Sequence, residues 1–260
     1  MSICNVFRAD VSNVGDWYCA PIRYFPFGDA SQTDILTVDP ATLNADVVVG
    51  GGGLLAQTFH PYMQRLASHR GGMRSLIAWG IGESENIDRR GGFVLPYAGE
   101  LPSYLSAFDL VGVRDFGTRF SWVPCASCML SQFDLNYEIE TEICIYEHKR
   151  IKIPIEGFPR KSNNGNDIDA ALKFLSSSEL IITNSYHGAY WATLLGRRVI
   201  TIPNMSKVYR LKHQPIFCRS DDWRRYAALA PSYPEALAEC RAANVAFYDK
   251  VVAHLSDSCR

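Results

Sequence analysis

The chain has 260 residues, enough for one large domain or two of about 120 residues each. It is 47% apolar and 20% charged with a formal net charge of −1, which excludes a disordered chain and gives no general pull toward nucleic acid or an anionic membrane. No basic start with an apolar core of signal-peptide length opens it, and the uncharged run 180–196 is shorter than a membrane span and holds Asn184, Ser185 and His187, so a soluble, cytoplasmic protein is expected.

In chain order, the first feature is SNVGDWY at 12–18, with Asn13, Gly15 and Asp16 ahead of the first expected helix. Two readings stand: a helix cap, or a site in which Asp16 accepts a proton from a hydroxyl. DILTV (34–38) and DVVVG (46–50) read as strands, and the second runs into four glycines, 50–53. That run is a turn or a backbone nest for a sugar or an anion. Its spacing is not GxGxxG, and no acidic residue ends the next strand, so a dinucleotide site is weak. Apolar residues at 59, 62, 63, 66 and 67 predict a helix, RSLIAW (74–79) a buried strand, and DLVGV (109–113) another, which delivers Arg114 and Asp115. Arg114 either pairs with a carboxylate or offers its planar fork to a carboxylate or phosphate.

WVPCASCML (122–130) holds the one CxxC, Cys125 and Cys128. It has no second pair for a zinc site and follows Pro124 in mid-chain, unlike a redox helix start. Cys125 and Ser127 are expected to line a cleft, and the eight cysteines to be reduced thiols. After an irregular stretch the strand–helix pattern restarts. EICIYEH (142–148) is a strand ending in Glu147, His148 and Lys149, and Asp167 opens a helix with apolar residues at 168, 171, 172 and 175. Residues 180–183 form a strand, a helix starts near His187 and closes at Gly196, and a strand follows at 199–203. A histidine where helix N–H groups are free suits anion binding or proton transfer, and Gly188 would let a ligand approach the backbone; the competing reading is that Asn184 and Ser185 only cap. NMSKVYRLKHQP (204–215) adds Lys207, Arg210, Lys212 and His213, solvated charges or part of the same pocket. Ser232 and Glu235 suggest a capping box before a helix running to about Leu255. Alternating strands and helices predict an α/β fold with mainly parallel sheets, and ligands in such folds sit beyond the carboxyl ends of strands.

Taken in order, Asn13–Gly15–Asp16, the glycines at 50–53, WGIG (79–82), VRD (113–115) and TNSYHGAYWATLLGRRVI (183–200) resemble the polysaccharide pyruvyl transferase family. The likeness runs from about residue 12 to about 215. It implies two Rossmann-like domains facing each other across a cleft, as in the GT-B glycosyltransferases. The expected division is 1–128 on the acceptor side, 129–231 on the donor side and 232–260 as a C-terminal helix packing back on the first domain. The implied reaction moves the pyruvyl group of phosphoenolpyruvate onto a sugar of a surface-polysaccharide precursor, forms a ketal and releases phosphate. No metal or cofactor is called for.

On this reading His187 is the acid on the methylene carbon, or a clamp on the phosphate, and Asp16 is the base on the hydroxyl. Asn184, Ser185, Tyr186, Gly188, Arg114, Lys207 and Lys212 are assigned to the donor, and Asn13, Gly51, Gly52 and Gly53 to the acceptor. Two positions depart from the common pattern. Ser185 stands where many members carry arginine, though Ser185–Tyr186 fits another branch, and PCAS (124–127) stands where many carry a Pro-Asp pair. The partners expected are phosphoenolpyruvate and a saccharide, with no nucleic acid. A lipid-linked repeat unit of a capsule or O-antigen as acceptor would bring the protein to the inner face of a membrane. The alternatives are a glycosyltransferase using a sugar nucleotide and a carbohydrate-binding relative without catalysis.

Overall fold

Short runs of β-branched and aliphatic residues set the strands, and their burial on both faces sets the pairing. The computed structural model describes residues 2–85, 87–88 and 93–257; Cys259 lies outside them. In the first half, β1 (Ser2–Phe7), β2 (Asp29–Asp34), β3 (Asp46–Gly52), β4 (Ser75–Ile81), β5 (Leu110–Val113) and β6 (Ser121–Trp122) form one sheet in the order β2-β1-β3-β4-β5-β6. In the second, β7 (Thr141–Glu147), β8 (Arg160–Ser162), β9 (Ser178–Thr183), β10 (Arg198–Thr201) and β11 (Ile216–Phe217) follow the order β11-β10-β9-β7-β8. Every pairing between these strands is parallel. β3 and β4 are buried along their whole length, as a sheet covered on both faces requires, while the polar edge strand β2 is largely exposed. The α/β class with parallel sheets is therefore as expected from the sequence.

Each sheet reverses its strand order once at an interior strand pair, between β1 and β3 and between β7 and β9. The crevice at such a switch, beyond the carboxyl ends of the strands, is the usual ligand position in open parallel sheets. The helices α1 (Val14–Trp17), α2 (His60–Ser68), α3 (Ile168–Ser176) and α4 (Tyr186–Leu194) start from these connections. Asp167 caps α3 through the Ala170 amide at 2.9 Å, and Ser185 caps α4 through the Gly188 amide at 3.3 Å. Gly196 takes the left-handed conformation (φ 70°) just beyond α4. Every residue of α4 is buried, which explains why its run carries no charge.

Two expected boundaries shift. The strand expected over 34–38 lies at Asp29–Asp34 instead, because Asp34 turns the chain: its carboxylate accepts the Leu36 amide at 2.8 Å and its carbonyl the Thr37 amide at 3.1 Å. The last helix, α6 (Ala236–Asp257), starts only after Glu235. Ser232 therefore precedes a turn around Pro234 rather than capping the helix. Before it comes the short α5 (Trp223–Tyr226).

Cores and switch points are joined by a few polar anchors. Asn5, fully buried in β1, donates to the carbonyls of Val48 (3.1 Å) and Gly50 (2.7 Å) and so holds the glycine end of β3 beside β1. One apolar cluster takes Phe7, Val14 and Cys19 from the first half and Tyr146, Leu172 and Trp191 from the second, so the two sheets share a core. α6 covers the first sheet: Phe247 meets Trp79 edge to face at 5.1 Å, and Val251 and Leu255 join Ile3, Val48 and Ile77. Among the described residues no helix is long and apolar enough to cross a membrane.

Asn244 fastens α6 to this sheet. Its Oδ1 accepts the Trp79 indole N–H at 2.9 Å, and its Nδ2 reaches the Pro124 carbonyl at 3.2 Å, all without exposure to solvent. Asn244→Ala strands a buried indole N–H and a carbonyl, and should lower stability in urea unfolding by about 1–3 kcal/mol.

Candidate active site

The loops at the carboxyl ends of the two sheets bind one another directly. The Val14 amide donates to the Asn163 carbonyl at 3.2 Å, the Gly165 amide to the Ser12 carbonyl at 3.2 Å, and Lys149 Nζ reaches Asp10 at 3.0 Å and the Ser12 hydroxyl at 2.7 Å. Asn13 sits at the centre of this seam. Its Oδ1 caps α1 through the Gly15 amide (3.2 Å) and accepts Asn163 Nδ2 (3.0 Å), while its Nδ2 donates to Asp16 Oδ2 at 2.7 Å. Asn13 is thus both a cap and the group that orients Asp16.

Opposite, α4 presents Tyr186 and His187. Tyr186 lies under two cations, with the Arg114 guanidinium carbon 3.9 Å and Lys207 Nζ 6.0 Å from its ring centroid. Arg114 is 2% exposed, and its Nε and Nη2 make no hydrogen bond among the described residues. It lies so close over Gly82 that a Cβ there would fall 2.5 Å from Nε, so only glycine admits it at that turn. A Cβ on Gly53 would stand 3.4 Å from Nη2. His187 is 6% exposed and packs against Trp191 at 5.0 Å between ring centroids, with Nε2 3.5 Å from Cys125 Sγ. Its other nitrogen faces α1, where a Cβ on Gly15 would lie 2.0 Å from Nδ1. Gly15 is therefore required by the close approach of the ring.

The charges shift one another in a consistent way. Burial, then Arg114 and Lys207, drives the His187 pKa well below the ordinary value, so the free protein carries a neutral imidazole. Burial, then Arg114, brings Lys207 down to about 8, against the opposing pull of Asp16 and Glu83. Burial raises Asp16, with Lys207 holding it back. Asp16 and Lys207 are half-buried, whereas Arg114 and His187 are buried. One cavity of about 270 Å³ takes Glu83, Asp115, Tyr97 and Arg210 into its wall, and another of about 210 Å³ takes His148, Arg150 and Met205.

Of the residues singled out from the sequence, Asp16, Arg114, Tyr186, His187 and Lys207 come together, with Gly53 beside Arg114. Others have different work. Asn184 clamps the β7 end, accepting the His148 amide at 2.7 Å and donating to the Ile151 carbonyl at 3.0 Å, and Ser185 is the cap of α4. The expectation of a ligand over Gly188 is corrected, since Thr183 Oγ1 and Tyr146 occupy that space, at 2.5 and 2.6 Å from where a Cβ would be. Lys212 also departs from the expected donor set. It binds Glu239 at 2.7 Å and lies 4.8 Å from the Trp122 ring centroid, where its charge is already met. Gly51 and Gly52 pack on Cys19, the Gly51 amide donating to its carbonyl at 3.2 Å. Cys125 and Ser127 are fully buried rather than lining an open cleft, and burial raises both thiols of the CxxC. Sequence reasoning missed Glu83, 2% exposed, which accepts the Ser206 hydroxyl at 2.8 Å and lies within electrostatic reach of Lys207. Its position just past the β4 carboxyl end was the available signal.

The sequence profile of the polysaccharide pyruvyl transferase family matches residues 3–206. Among curated proteins none matches the chain. A crystal structure of a functionally uncharacterised protein from Klebsiella pneumoniae is similar at 16% identity, covering 78% of this chain and 84% of that one, with a TM-score of 0.44; a likeness of that size carries no argument.

The Gly15–His187 contact is testable as a pair. Gly15→Ala should destabilise the protein by about 1–3 kcal/mol through overpacking. In a double-mutant cycle with His187→Ala, which vacates the space, most of that loss should be recovered, giving a coupling of about 0.5–3 kcal/mol in urea unfolding.

Proposed function

The chain belongs to the polysaccharide pyruvyl transferase family, and on that premise we propose that it transfers the pyruvyl group of phosphoenolpyruvate to a sugar of a surface-polysaccharide precursor, forming a ketal and releasing phosphate. In this reading the two parallel sheets are Rossmann-like units of a GT-B-like arrangement divided near residue 128, with α6 as an added helix on the first. A lipid-linked saccharide as acceptor would hold the protein at the inner face of a membrane. The observation that carries the proposal is the buried, unpaired Arg114 guanidinium beside Lys207 and a neutral His187. A cation with free N–H groups in a low-dielectric site favours a small anion strongly, and the donor brings a phosphate and a carboxylate on the same carbon.

The chemistry follows from these states. Arg114 and Lys207 take the donor's negative charges. Those charges offset the two cations that suppress His187, so the ring gains a proton when the donor is in place. His187 gives that proton to the methylene carbon while a sugar hydroxyl attacks the neighbouring carbon and Asp16 accepts the hydroxyl proton. A second hydroxyl of the same sugar then displaces phosphate, which closes the ketal. One hydroxyl proton balances the proton placed on carbon, and the other leaves with phosphate or solvent.

His187→Ala should abolish phosphate release from phosphoenolpyruvate with a suitable acceptor while leaving the circular dichroism spectrum unchanged; near-normal turnover would remove His187 from the mechanism. Titration calorimetry should show binding of phosphoenolpyruvate in preference to sugar nucleotides.

The pH dependence has a definite sign. Lys207 is charged below about 8 and loses its proton above it, and the complex gains a proton at His187, so donor affinity should fall as pH rises through about 8. Calorimetry in buffers of different ionisation enthalpy should register proton uptake on binding, and Lys207→Met should flatten the decline.

A further inference from the structure

Four side chains behind the active site form a chain of hydrogen bonds whose direction can be read. The Trp191 indole N–H is only a donor, and it lies 2.9 Å from Ser127 Oγ. Ser127 Oγ is 3.2 Å from Cys125 Sγ, and Cys125 Sγ is 3.5 Å from His187 Nε2. Ser127 and Cys125 have no exposure to solvent. With Trp191 donating to it, Ser127 has one hydroxyl proton to place, and Cys125 Sγ is the neighbour within reach. The backbone amide of Ser127 also bonds this sulfur. The sulfur thus accepts from Ser127, and the thiol proton is left to point at His187 Nε2. With His187 donating to the sulfur instead, either the fully buried serine hydroxyl or the thiol proton is left without an acceptor, at a cost of up to about 1–3 kcal/mol.

We propose that Trp191, Ser127 and Cys125 form a one-way relay that fixes His187 as the Nδ1–H tautomer and makes Nδ1 the working nitrogen of the site. Nε2 is occupied by the thiol. Nδ1 makes no hydrogen bond among the described residues and faces the start of α1, where Gly15 carries no side chain. Cys125 is on this account a positioning residue. Its thiol stays protonated, consistent with the burial that raises it, and it serves as a weak donor, not as a nucleophile or a redox centre. When the ring takes up its second proton, Nε2 must become a donor, so the thiol has to turn away and its own proton loses its acceptor. The relay therefore opposes protonation until an anion is present. The role of Nδ1 in transfer rests on the pyruvyl-transfer reading, whereas the tautomer does not.

Nitrogen-15 NMR of protein labelled at its six histidines tests both parts, with His187→Gln identifying the signal. The wild-type ring should show a protonated, pyrrole-type Nδ1 and a bare, pyridine-type Nε2. Cys125→Ala should shift the ring toward the Nε2–H form, and Cys125→Ser, which keeps an O–H donor, should retain Nδ1–H. In parallel, Cys125→Ala should lower kcat by about tenfold or more with little change in the donor KM, within the range of general acid effects, and Cys125→Ser should restore most of it. A wild-type ring carrying its proton on Nε2, or a tautomer indifferent to Cys125→Ala, overturns the relay. Loss of all transfer activity with the expected wild-type tautomer would overturn the functional reading and leave the relay standing.

Discussion

The arrangement turns on one buried cation. Arg114 is removed from water at the carboxyl end of β5, stacked on the Tyr186 ring, with two of its nitrogens unpaired among the described residues. A guanidinium in that state is costly unless an anion completes it. The ring face recovers part of the loss, and Gly82 and Gly53 keep the space beside the fork free of side chains. Asp115 acts on Arg114 only through space, so two guanidinium nitrogens are left without a hydrogen-bond partner among the described residues, and that suits a small anionic substrate better than a neutral sugar.

The same cation sets the state of its neighbours. Burial first, and then this cation with Lys207, suppresses the charge of His187, so the imidazole rests neutral. Lys207, half-buried, has its own charge weakened by burial and then by Arg114, and supported by Asp16. On the proposed reading the acid is not ready-made: it would form when the donor's charges cancel those of the cations, which would tie proton delivery to occupancy and limit loss of protons to water.

Both sheets contribute because their switch points meet. Asn13, Asn163 and Lys149 bind the connection after β1 to those after β7 and β8. The Asn163 carboxamide oxygen also accepts the Lys149 amide at 2.6 Å, so one residue holds its own loop while bonding the other half. Asp16 and Gly15 on one side are thereby set against His187 on the other, and the closeness of the fit is measured by the missing Cβ at Gly15.

The sequence by itself determined the α/β class, the parallel sheets, most strand positions and the family, because apolar runs, caps and glycines act within a few residues of where they stand. It pointed to Asp16, Arg114, Tyr186, His187 and Lys207, since each follows the carboxyl end of a strand. It could not tell that Gly188 serves packing against Tyr146, that Lys212 is neutralised by Glu239, or that Cys125 touches His187. Those pairings join residues 27 to 62 positions apart, and which charges stay unpaired in a core depends on every neighbour that burial brings within a few ångströms. Only the tertiary structure decides that, because desolvation and Coulomb energy are properties of the enclosed volume and not of the local chain.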